Sequence, residues 1–398
     1  MREDSRLFRY SVWLLLTLNL CVALFPVVPN VRGGYFFDQI HKELYRDIVF
    51  FVSPVIVGLL IIHFLFQRWR NKTRVVVNKP IMLATVLTFV ALNLSLAMHG
   101  YREGKLTAVY FLGMSFFLFA ISDFYRMPLK SLMLIRWVLA FWAILPLGLV
   151  IVFPSLSEFF IDAGHSFHGF ADSHVGYGLW VGLLIILLLK QPDGYWKKWL
   201  LLAAAMAGLF LSQSRAAIGA LAICYLYSYF VGHANNYGKF LRKSLIVLVV
   251  CWFTLVVWQH FLGRSNALAV NPFSPAFDVP RAEIFKRFFE FIRNNWLFGY
   301  GGQYGVDVAA IGRGISAHNL LVQTLANYGA LVLLGYFLYL IVIFLDIKNI
   351  TSRMVLIFLL LYSQMEPVLD PVNYLSPIAI IWFMAIVMLQ KEKVGLCG

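Results

Sequence analysis

His174-Val-Gly-Tyr-Gly-Leu-Trp-Val-Gly-Leu-Leu-Ile-Ile-Leu-Leu-Leu-Lys190 carries no formal charge until its last residue. A helix rising about 1.5 Å per residue would take this stretch across most of a bilayer core of ~30 Å. Apolar runs of about 17–20 residues recur on both sides of it, enough for about twelve spans. They centre near residues 8–28, 48–66, 81–98, 107–124, 132–153, 174–190, 198–212, 216–232, 244–262, 319–345, 353–367 and 374–390. The chain of 398 residues is 61% apolar and only 13% charged, more apolar surface than a soluble protein can hide. The expected fold class is an all-α polytopic membrane protein, one integral-membrane domain over residues 1–398, with no repeat of fixed period.

The formal net charge of +14 invites a nucleic-acid partner, but its distribution argues against one. Basic residues sit in short connections between spans, where the positive-inside rule and anionic headgroups account for them. With the N-terminus inside, the cytoplasmic connections hold Arg68, Arg70, Lys72, Arg74 and Lys79, then Arg126 and Lys130, then Lys197 and Lys198, then Lys239, Arg242 and Lys243. The loop 154–173 has Glu158, Asp162 and Asp172 but no Lys or Arg, as an external loop should. Both termini are then cytoplasmic. The run from Leu7 to Val28 is long for a signal-peptide core and reads as an uncleaved first span. Cys21, Cys224 and Cys251 fall inside spans and Cys397 in the tail, with no disulfide or metal spacing.

Residues 263–318 form one long connection, placed outside, and loops of that length are usually functional. Within it, the stretch from Arg281 to Arg293 sets Ile284, Phe285, Phe288, Phe291 and Ile292 on one helical stripe. Asp278 and Pro280 make a good helix start, and the pattern suits a helix lying in the membrane interface.

Three residues at the outer surface have the chemistry to act on a phosphate-bearing substrate. Arg215, in Ser212-Gln-Ser-Arg215, follows the seventh span and defies the inward bias of basic residues. The alternative is a guanidinium snorkelling to anchor a helix end. Arg281 opens the amphipathic helix, where backbone N–H groups and a guanidinium together favour phosphate oxygens. A solvated position on the polar face is the other reading. His318, in Ala317-His-Asn319, has an ordinary pKa of about 6.5 that suits a general base, or it is a structural histidine at the interface. Asn319, Gln323 and Asn327 follow at i+4 spacing, a polar stripe that must face protein or a cavity rather than lipid.

These motifs, with Asn295-Trp-Leu-Phe-Gly-Tyr-Gly-Gly302 between them and Gly329 beyond, resemble the O-antigen ligase and O-antigen polymerase superfamily over about residues 205–330. The resemblance implies a twelve-helix GT-C-type glycosyltransferase in the inner membrane of a Gram-negative bacterium. It places donor-diphosphate binding on Arg215 and Arg281, and activation of the acceptor hydroxyl on His318. The implied donor is undecaprenyl-diphosphate-linked glycan and the implied acceptor lipid A–core. Transfer would be inverting, periplasmic and without a cofactor, and the lack of a paired-carboxylate motif near the three residues agrees with metal independence. The alternatives are an O-antigen polymerase, which takes a second lipid-linked repeat as acceptor, and a transporter or flippase.

Secondary substrate contacts are expected from Ser214, Asn319, Gln323, His165, His168, Glu366 and Arg313, with Asp370 and Arg264 as further candidates. His165, His168 and His174 have a spacing that could hold Zn²⁺ if the loop folded back, but headgroup or acceptor contact suits them as well and no metal site is assigned. Gly299-Tyr-Gly-Gly-Gln-Tyr-Gly305 superficially resembles a dinucleotide loop, yet it follows a helix rather than a strand. A helix C-terminus followed by tight turns explains it better.

Overall fold

A computed structural model describes residues 79–98, 129–156, 160–161, 166–169, 174–189, 196–232, 279–301, 317, 319–346 and 350–364, with isolated positions at 62, 66, 69 and 70. For residues 129–135, 138, 156, 174–175, 232, 279–285 and 346 only the backbone is described. The described residues are almost entirely helical: α1 (Lys79–Met98), α2 (Leu129–Val152), α3 (His174–Leu189), α4 (Trp196–Leu211), α5 (Arg215–Gly232), α6 (Val279–Asn294), α7 (Leu320–Asp346) and α8 (Ile350–Tyr362). All but α6 coincide with expected spans. The spans expected at 8–28, 48–66, 107–124, 244–262 and 374–390 lie outside the described residues or touch them only at isolated positions, so the count of twelve and the GT-C architecture rest on the sequence. α1 and residues Leu320–Leu345 are long and apolar enough to cross a membrane.

The chain divides into two compact units. In the first, which includes residues 1–134, 281–353 and 363–398, α1 packs along α7. The buried face of α1 is Ile81, Ala84, Thr85, Thr88, Ala91, Leu92, Ser95 and Leu96, rich in small and hydroxyl side chains. Its exposed face is Leu83, Val86, Leu87, Val90, Leu94 and Met98. Water would select the reverse. Where lipid is the solvent, large aliphatics turn outward and small residues let backbones approach. Gly335 of α7 meets α1 at Thr88, where an added Cβ would stand 3.1 Å from the threonine Cα. The hydroxyls of Thr85 and Thr88 donate to the carbonyls of Ile81 and Ala84 at 2.8 and 2.7 Å, so these two are satisfied within the helix.

The second unit comprises residues 135–280 and 354–362. Its centre is α3, which packs on α4 and α5. Every residue from Tyr177 to Leu188 is buried, as expected of a helix apolar on all sides. Glycines set the approaches: a Cβ at Gly178 would overlap the Ser214 side chain, one at Gly182 the Phe358 ring, and one at Gly208 the Tyr177 hydroxyl. Tyr177 donates to the Ala143 carbonyl at 2.6 Å and stacks on Trp142 at 5.7 Å.

Candidate functional site in two units

In the second unit, α4 and α5 are joined by Ser212, Gln213 and Ser214 alone. The reversal is made by Gln213, held at φ +53°, a left-handed conformation that costs a non-glycine residue roughly 1 kcal/mol. Ser212 N–H donates to the Gly208 carbonyl (2.9 Å) and its hydroxyl to Leu209 (2.7 Å), closing α4. The Ser214 carbonyl then accepts from Ile218 N–H at 3.0 Å, opening α5. Arg215 is therefore the first helical residue, exposed, on a turn that fixes its backbone. The neighbouring N–H groups of that first turn have no acceptor within the helix and carry its positive end. Ser214 is buried against Gly178, and its hydroxyl finds no partner among the described residues. It supports the turn from inside rather than facing outward.

Described parts of the loop 154–173, which the sequence places outside, come to this same end. Ile161 and Phe167 form an antiparallel bridge, His168 N–H donates to Phe160 (2.8 Å), and Phe167 N–H donates to Leu211, the last residue of α4 (3.0 Å). Phe167 stands edge-on to Tyr177 at 5.1 Å. His168, half-buried, is thus brought to the end of α4 from which the Arg215 turn departs.

In the first unit, α6 carries Arg281 in its first turn, with the backbone described there and the side chain not. Further along, Phe288 and Ile292 are buried with Ala317 and Ala326, and Phe291, Tyr300, Val322 and Leu325 pack around them. The apolar stripe of α6 therefore faces protein over this stretch, not the membrane interface its amphipathic pattern suggested. A packed helix and a membrane-surface helix share one periodicity, so the sequence alone could not separate them.

The segment after α6 seals a break in α7. Gly329 has φ +82° and ψ 177°, interrupting the helix. The carbonyls freed at Ala326 and Asn327 accept from Tyr300 N–H at 3.0 and 3.2 Å, and Ala330 N–H donates to Trp296 at 2.8 Å. Gly299 and Gly329 lie where the two backbones touch: a Cβ on Gly299 would overlap the backbone of residues 327–329, and one on Gly329 the Leu297 carbonyl. Asn295 ties the turn together by donating to Gly299 (2.5 Å), and Ser95 of α1 donates to Phe298 (2.5 Å). As far as it is described, through Gly301, the glycine run is a helix end followed by tight turns, with Gly299 and Gly301 at φ +63° and +72°.

The entry to α7 is held from both sides. Asn319 caps the helix, its Oδ1 accepting from Val322 N–H (3.1 Å) and its Nδ2 donating to the Gln364 carbonyl (3.1 Å). Leu320 N–H donates to Ser363 (2.8 Å). Gln323, 1% exposed, accepts from the Ala317 N–H at 2.7 Å. The polar stripe faces protein, as expected. Asn327, its third member, is fully buried with both amide atoms unpartnered among the described residues. His318, His165, Arg313 and Glu366 lie outside the described residues, as does the greater part of the connection 263–318. The docking of Ser363 and Gln364 onto α7 carried no signal in the sequence, because it joins residues more than forty apart through backbone carbonyls.

Residues 200–337 match the family model described as O-antigen ligase. No curated protein and no solved structure matches the chain. The matched segment begins in α4, takes in Arg215, Arg281 and His318, and ends in α7 beyond the Gly329 break.

Proposed function

We propose that this protein is a lipopolysaccharide O-antigen ligase, because residues 200–337 match the O-antigen ligase family model, a family of glycosyltransferase-like membrane enzymes acting on lipid-linked sugars. It would transfer a glycan from undecaprenyl diphosphate to a sugar hydroxyl of lipid A–core at the periplasmic face of the inner membrane. The observation that carries the reading is the family match itself, which encloses all three candidate residues in one segment.

The chemistry follows from the bond that breaks. The sugar C1–O bond to the diphosphate is cleaved and C1 bonds to the acceptor oxygen. The leaving diphosphate is already stable as an anion and needs charge stabilisation more than a proton. Arg215, at the first position of α5, and Arg281, in the first turn of α6, each combine a guanidinium with the positive end of a helix dipole. In a partly desolvated site such groups stabilise developing charge without a divalent cation. His318 takes the proton of the attacking hydroxyl, and attack opposite the diphosphate inverts the anomeric centre. His168 lies at the end of α4 from which the Arg215 turn departs, which suits a secondary contact to headgroup or glycan.

The break in α7 weighs against a transporter. Broken helices of transporters commonly leave backbone groups to coordinate cargo, whereas here Trp296 and Tyr300 take up those freed at Ala326, Asn327 and Ala330. The family covers polymerases as well as ligases, and a deletion strain separates them. Loss of a ligase leaves full-length polymer on undecaprenyl diphosphate; loss of a polymerase leaves single repeats on lipid A–core. We expect the first phenotype, restored by the parent gene and not by His318→Ala. Capped lipopolysaccharide from His318→Ala would remove the general-base assignment.

A further inference from the structure

We infer that Gln323 is a positioning residue for the transfer, holding the chain that carries His318 rather than touching substrate. The inference rests on the reading of His318 as the group that deprotonates the acceptor. The side-chain carbonyl of Gln323 is taken by the Ala317 N–H at 2.7 Å, and the residue is 1% exposed. On the other side of His318, Asn319 is fixed by its cap to Val322 and its bond to Gln364, and Leu320 by its bond to Ser363. Ala317 itself is buried against Phe288, Ile292 and Ala326. Both chain neighbours of the histidine are thus anchored, one of them by a side chain a full turn into the helix. The arrangement resembles a capping box whose returning side chain reaches beyond the cap residue. A buried amide acceptor that meets a backbone donor satisfies both groups, and removing it leaves the Ala317 N–H without that partner in the core.

A general base must sit within hydrogen-bond reach of the proton it takes, and misplacement by about 1 Å can cost on the order of 100-fold in rate. The test uses the purified full-length chain, lipid-linked glycan as donor and lipid A–core as acceptor. Gln323→Met keeps the length and removes the acceptor; kcat should fall on the order of 10- to 100-fold with KM for both substrates retained. Gln323→Glu keeps an oxygen for Ala317 and should recover most of that loss. In the His318→Ala background, Gln323→Met should add nothing further, because its effect passes through the imidazole.

Parent-like kcat in Gln323→Met, a raised KM at unchanged kcat, or an equal additional loss in the His318→Ala background would overturn the inference. If Gln323→Met does not fold, Asn319→Asp keeps the cap to Val322 and removes the donor to Gln364. A several-fold fall in kcat at constant KM is then expected, and an unchanged kcat counts against the idea. Full activity in His318→Ala defeats the functional reading and this inference together; an inactive His318→Ala beside an unimpaired Gln323→Met defeats this inference alone.

Discussion

Arg215 places a positive charge at the positive end of a helix, which opposes the macrodipole. Such a residue makes physical sense when an anion is to be held there. A diphosphate would meet the guanidinium edge and the first-turn N–H groups together, an arrangement Lys cannot reproduce because it offers a point charge. Arg215→Ala should therefore lose transfer on the order of 100-fold or more while its thermal unfolding matches the parent. Arg215→Lys should remain well below the parent, and a Lys enzyme as fast as the parent would argue against bidentate phosphate binding. The sequence singled Arg215 out because the charge-based topology expects it outside, against the positive-inside rule. It did not reveal the left-handed Gln213 that turns the chain, nor Ser214 turned inward against Gly178, because both depend on packing between helices.

At the scale of the element, α7 and the turns after α6 form one structural unit. Gly299 and Gly329 touch backbone to backbone, and the Ala326 and Asn327 carbonyls and the Ala330 N–H find partners across that contact. Gly329 lies in a region of φ/ψ open essentially to glycine alone, where another residue costs roughly 1–3 kcal/mol before any clash. Gly329→Ala, whose methyl would meet the Leu297 carbonyl, should give a large loss of folded protein in detergent, read as a lowered unfolding midpoint. An unchanged midpoint would mean that the break is not held as described. The polar stripe of Asn319, Gln323 and Asn327 was legible from its i+4 spacing, and so was its burial. The break was not, because glycine is ordinary in membrane helices and nothing local to residue 329 announces a partner thirty residues upstream.

For the whole molecule, the described helices were largely legible because lipid imposes simple rules on length and composition. Long uncharged runs gave α1 through α5, α7 and α8 to within a few residues at most ends. The inward hydroxyl and small residues and the outward aliphatics of α1 are the arrangement that a lipid solvent selects. Legibility failed for α6, whose stripe fits either a membrane surface or a protein neighbour and takes the latter at Phe288 and Ile292. Ligase activity is read from transfer by the purified chain of labelled glycan from undecaprenyl diphosphate, with EDTA present and lipid A–core as acceptor. Labelled lipid A–core is expected, with one released undecaprenyl diphosphate for each glycan moved. Label found instead on a second lipid-linked repeat, or transfer abolished by EDTA and restored by a divalent cation, would contradict a metal-independent ligase.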